Sequence, residues 1–137
     1  PIKSSAASDV YKRQAWLKQL DAREIRVDGR MYYATKDALE GEMPHVRLLS
    51  GFDPMLLGYR KEDNPILPPE HLRGVFNLTG IVHPTVLADG RIVARWREKD
   101  GKVELMPFEN IGVRTKKRIE REVEKWFEVK EIRWMEI

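Results

Sequence analysis

A chain of 137 residues, 42% hydrophobic and 34% charged, has apolar surface for one core plus at most the edge of another domain, which excludes global disorder and two complete domains. It contains no cysteine, which excludes a disulfide scaffold and thiolate-bound zinc, and no run approaches the roughly 20 apolar residues of a membrane span, so a cytoplasmic protein with no membrane partner is expected. The formal charge of +3 decides little: residues 1–14 hold Lys3, Lys12 and Arg13 against Asp9, leaving 22 basic and 21 acidic residues elsewhere, so a case for nucleic acid must rest on local stripes.

Residues 1–14 lack an initiator Met and any apolar period, and Ser4 to Gln14 resemble a translated sequencing adapter. They are expected to be a non-native or disordered tail, and the natural protein to continue upstream. From Ala15 the chain reads as structured. Trp16, Leu17 and Leu20 share a helical face, and Glu24–Val27 with Arg30–Tyr33 flank Asp28-Gly29. Asp-Gly between strand-like runs predicts a hairpin, because both central residues of a type I′ turn need positive φ. Helix then hairpin is how a winged helix ends, with the hairpin as the wing, and this reading covers residues 15–43. Ala34 to Pro44 is expected to be a short helical connection and the domain boundary.

A β-rich unit is expected over 44–137. His45–Leu49 reads as a strand, Phe52-Asp53-Pro54 as a bend, and Pro69 as the start of a short helix reaching about Val75. Asp89-Gly90 and Asp100-Gly101 predict two successive hairpins, hence a three-stranded antiparallel meander over residues 81–106. A final helix is expected from about Thr115, as N-cap, to Phe127, with Ile119, Val123, Trp126 and Phe127 on its apolar face. Val129–Ile137 alternates as a closing strand would. The fold class is therefore α+β: the end of a winged helix, then an antiparallel β-barrel-like domain with a packed C-terminal helix.

Strict alternation along the strand after Gly90 places Arg91, Arg95 and Arg97 on one face and Ile92, Ala94 and Trp96 on the other, with Lys99 and Lys102 at the next turn. A basic strand ending in a basic hairpin suits phosphate contact, since guanidinium groups bond phosphate oxygens bidentately and displace counterions. The same register sets Arg97 opposite Glu104, so a solvated face of ion pairs is the competing reading. Arg26 and Arg30, beside the first hairpin turn, are candidate backbone contacts from the wing. Asp53 reads either as a buried carboxylate or as a turn carboxylate bonding nearby amides. His45, His71 and His83 share no ligand spacing, so no metal is expected, and no nucleophile triad, phosphate loop or cofactor fingerprint is present.

The string Leu48-Leu49-Ser50-Gly51-Phe52-Asp53-Pro54-Met55-Leu56-Leu57-Gly58-Tyr59-Arg60, then Leu67-Pro68-Pro69-Glu70-His71, then Pro84 to Val93 and Trp96-Arg97, resembles the C-terminal half of the AlkZ-like winged-helix proteins. The resemblance implies tandem winged helices followed by a β-barrel-like domain, with double-stranded DNA and the upstream winged-helix domains as partners. It also implies an activity that excises alkylated or crosslinked bases by hydrolysing the N-glycosidic bond, assigned to a Gln-x-Gln type motif far upstream. Gln14 and Gln19 are the only glutamines here and do not form that motif, so no catalytic residue carries over. The chain is thus expected to be a DNA-binding C-terminal fragment. The alternatives are a non-enzymatic winged-helix regulator, or a barrel that only braces the upstream domains.

Overall fold

The structure is a computed structural model that describes residues 2–35 and 42–137, residues 2–8 by backbone alone. It divides into two compact units, Pro1–Glu42 and Met43–Ile137. The expected connection from Ala34 to Pro44 falls mostly on residues 36–41, outside the described residues. Among the described residues no helix is long and apolar enough to cross a membrane.

In the first unit, α1 (Ile2–Gln19) precedes an antiparallel ribbon of β1 (Arg23–Val27) and β2 (Arg30–Ala34). The stretch expected as a tail is helical from Ile2 onward. Ile2–Gln19 contains no Pro or Gly, and Ala6, Ala7, Lys12, Arg13 and Gln14 are good helix formers, so backbone propensity favours a helix where no apolar period announced one. The ribbon turns where expected, with Asp28 at φ 48° and Gly29 at φ 77°. From Asp9 on, no described residue of this unit is buried.

The second unit is built on a five-stranded sheet in the order β3 (Val46–Leu49), β4 (Thr85–Ala88), β5 (Arg91–Lys99), β6 (Lys102–Pro107), β7 (Glu131–Trp134). Between β3 and β4 lie α2 (Pro54–Leu57), a 3-10 turn at Pro69–His71 and α3 (Leu72–Val75). Asp53 resolves as a turn carboxylate: it caps α2, accepting from the Met55 amide at 2.9 Å. The meander β4-β5-β6 is antiparallel, as the turns require, but β7 lies parallel to β6 after a crossover through α4 (Val113–Trp126). Among the described residues nothing pairs β3 with β7, so the expected barrel is an open sheet. α4 begins two residues before the expected cap. Gly112 takes the N-cap position without a side-chain bond, and Thr115 instead accepts from Arg118.

The sheet is covered on both sides. One face packs Val46, Val86, Ala88, Ala94, Val103 and Leu105 against Ile119 and Val123 of α4. The other packs Leu49, Leu87 and Ile92 against Leu56, Leu67, Val75 and Val82 from α2, α3 and their loops. Double coverage explains why all four residues of β4 are buried.

Candidate nucleic-acid interface

The expected single row of arginines is divided by a β-bulge. Val86 pairs with Ala94 but Leu87 with Ile92, leaving Val93 as an extra residue in β5. Val93 and Ala94 consequently enter the same α4-side core, while Ile92 turns to the opposite one. Paired residues of antiparallel strands share a face. Arg91, paired with Ala88, therefore leaves the sheet on the α4 side, whereas Arg95, paired with Thr85, leaves on the other. Strict alternation assumed a regular strand, and one inserted residue inverts it. Arg91 is bonded to Glu109 at 2.8 Å, itself 3.6 Å from the buried His71 ring, and stands apart from the other candidates.

What the sheet does bring together is Arg95, Arg97 and Lys99 on β5, Lys102, Glu104 and Met106 on β6, and Glu131 and Arg133 on β7. Five cations against two carboxylates leave this face a net three positive charges. Arg97 donates to Glu104, a bond that holds the Glu104 carboxyl below its ordinary pKa and raises that of Arg97. Arg133 donates to Glu131 at 2.8 Å, lowering the Glu131 pKa, and Lys102 reaches the same carboxylate at 3.7 Å. All these groups lie near water, so the pairs bend the local field more than they stabilise the fold. Arg95 is half-buried and Lys99 exposed, and neither has an ion-pair partner among the described residues.

The hairpin tip is not a free finger. The Gly101 carbonyl accepts from the Lys130 amide at 2.8 Å, and its amide donates to Glu98 Oε1 at 2.7 Å. The first bond tethers the tip to the segment that leads into β7, and the second ties it to β5. Arg133 belongs to this face but escaped the sequence reading, because local alternation says which way Arg133 points and not which strand lies beside it. In the first unit Arg26 is paired with Met31, and Arg30 with Val27, so these two leave opposite faces of their ribbon. His45 lies 3.2 Å from Asp89, the His71 ring nitrogen 2.9 Å from the Ile92 carbonyl, and no group of three His, Cys, Asp or Glu among the described residues could hold a metal.

The chain is 30% identical to an interstrand DNA cross-link repair glycosylase of Streptomyces sahachiroi, over 81% of its own length and 32% of the relative's. The solved structure of the Streptomyces sahachiroi DNA glycosylase AlkZ superposes with a TM-score of 0.67 at 28% identity, covering 84% of this chain and 34% of that one. The chain thus spans about a third of the length of these relatives. The family described as DNA glycosylase AlkZ-like matches residues 5–129, and the chain belongs to that family.

Proposed function

We propose that this chain is the DNA-binding C-terminal part of a longer AlkZ-like protein. In this reading the first unit is the end of a winged helix with the β1–β2 ribbon as its wing, and the second is the barrel-like domain, here with an open sheet. The observation that carries it is the slab of Arg95, Arg97, Lys99, Lys102 and Arg133, whose net positive charge faces solvent on a tethered hairpin. Arg26 and Arg30 assist from the ribbon, each from its own face. Arg91 takes no direct part, since its pairing with Ala88 turns it to the α4 side, away from the slab.

The reading as part of a larger protein is supported by the first unit itself. Ile25, Val27, Met31 and Tyr33 of a two-stranded ribbon are all exposed, and such a ribbon is marginal in water unless something covers it. Upstream winged-helix domains of the same protein would supply that cover. N-glycosidic hydrolysis, if the whole protein performs it, is assigned to those domains, and this chain supplies affinity and orientation on duplex DNA. A purely structural slab is the second reading, favoured by one observation: Arg97, Lys102 and Arg133 already have carboxylate partners.

Titration of duplex DNA at two salt concentrations separates the readings. Each phosphate contact contributes about −0.9 to the slope of log K against log salt. Arg95→Glu with Arg97→Glu is expected to flatten the slope by about two units and weaken binding at least tenfold at low salt. Unchanged affinity and slope would remove the slab from the interface.

A further inference from the structure

The opposite side of the second unit carries a basic surface that the slab does not use. α4 turns Ile119, Glu122 and Val123 toward the sheet. At about 100° per residue, Arg114, Lys117 and Arg121 fall within about 60° of one another on the far side of the helix. All three are exposed, and none has a carboxylate partner among the described residues. The remaining cations of the helix are engaged: Arg118 with Asp89, Lys125 with Glu122, and Lys116 over the Trp134 ring at 4.8 Å. The contrast sorts the six into three engaged with other side chains and three without an ion-pair partner among the described residues.

We propose that Arg114, Lys117 and Arg121 form a second phosphate-contacting surface for duplex DNA, separated from the Arg95–Arg97 slab by the thickness of the sheet. Charge complementarity names the occupant. The three positions span about 10 Å along a straight helix, at 1.5 Å per residue. A DNA strand presents a phosphate for about every 3.4 Å of axial rise, so a rigid row of this length with flexible tips meets two or three of them. The first turn contains no acidic residue to blunt the field there. One straight duplex cannot touch both faces of the sheet, so the two surfaces are separable in experiment. The inference rests on the nucleic-acid reading given above.

The test titrates a fluorescein-labelled duplex against the full chain by anisotropy from low to moderate salt, with folding followed by circular dichroism. In a variant with the whole slab neutralised, Arg95→Gln, Arg97→Gln, Lys99→Gln, Lys102→Gln and Arg133→Gln, residual binding is expected with a slope of about −2.7, three phosphates at −0.9 each. Adding Arg114→Gln, Lys117→Gln and Arg121→Gln should bring that slope close to zero, while Arg114→Lys with Arg121→Lys should keep it. Single glutamine substitutions, each expected to remove about one unit, read the same quantity if the combined variant does not fold. Residual binding that ignores the α4 substitutions, or binding already abolished by the slab substitutions, overturns this proposal and leaves the slab standing. Full binding without the slab cations, lost on the α4 substitutions, supports the stripe and refutes the slab. Absence of duplex binding by the unmodified chain at low salt refutes both. Competition by poly-glutamate as effective as that by unlabelled duplex overturns the choice of occupant.

Discussion

Replacing Glu122 by Gln probes the one buried carboxylate of α4. Its side chain is 4% exposed, and three donors meet it: Arg47 Nη1 at 2.8 Å, Lys125 Nζ at 2.8 Å and Trp126 Nε1 at 3.2 Å. Burial is the largest influence on its pKa and raises it, but the bonds from Lys125, Trp126 and Arg47 together outweigh burial and hold the carboxyl below its ordinary value. Arg47 and Lys125 are 46% and 67% exposed, so solvent screening limits each ion pair to about 1 kcal/mol. The indole bond adds about 1 kcal/mol. Gln removes the charge and sets its own amide donors among three others, for an expected loss of about 1.5–3 kcal/mol, or a midpoint lower by about 10 °C in a unit of this size. Because the folded pKa is depressed, the stabilisation is complete above the unfolded value of about 4.3 and is lost as pH falls through the folded one. Urea unfolding followed by tryptophan fluorescence should therefore show a gap between the two proteins at neutral pH that narrows in acid as pH falls through the depressed folded pKa. A gap under about 0.5 kcal/mol at neutral pH, or one of equal size in acid, would refute the assignment.

Asp89→Asn keeps a residue that tolerates φ 46° but removes the bidentate partner of Arg118, whose bond is the main cause of the lowered Asp89 pKa. With Asp89 half-exposed, the loss should be at most about 1 kcal/mol at neutral pH and vanish in acid, as denaturation at the two pH values would show. Gly74→Ala would place a Cβ 2.4 Å from the Phe108 ring edge, so thermal melting should reveal overpacking of about 1–3 kcal/mol. Gly90→Ala and Gly101→Ala both force alanine into positive φ, costing about 1 kcal/mol, but only at Gly101 would the Cβ press on Lys130 and the Glu128 carbonyl. The Gly101 variant should melt lower, and amide exchange in β7 should quicken in it alone.

The sequence announced what is decided within a few residues. Each hairpin turn followed from an Asp-Gly pair, and Asp28, Asp89 and Asp100 indeed sit at φ 48°, 46° and 56°. The buried Ile119 and Val123 followed from their spacing of four on α4. Relations between distant segments were not legible. That Glu131 and Arg133 lie beside Lys102 and Glu104 depends on α4 carrying the chain across the sheet, and alternation in β7 is equally compatible with either neighbour. The candidate interface was thus read from one strand, although three strands build it.

The bulge at Val93 shows how the core governs where charge appears on the surface. Ile92, Val93 and Ala94 are consecutive and all buried, which a regular strand achieves only by sending alternate side chains to two cores. Here the division is unequal: Ile92 fills the α2–α3 side, and both Val93 and Ala94 fill the α4 side. That extra aliphatic residue under α4 fixes the backbone parity of everything before it relative to everything after it. Arg91 and Arg95, four residues apart, consequently face opposite directions, and the basic slab starts at Arg95 rather than at the turn. In this domain, the packing of two aliphatic side chains decides which face of the sheet each guanidinium group leaves.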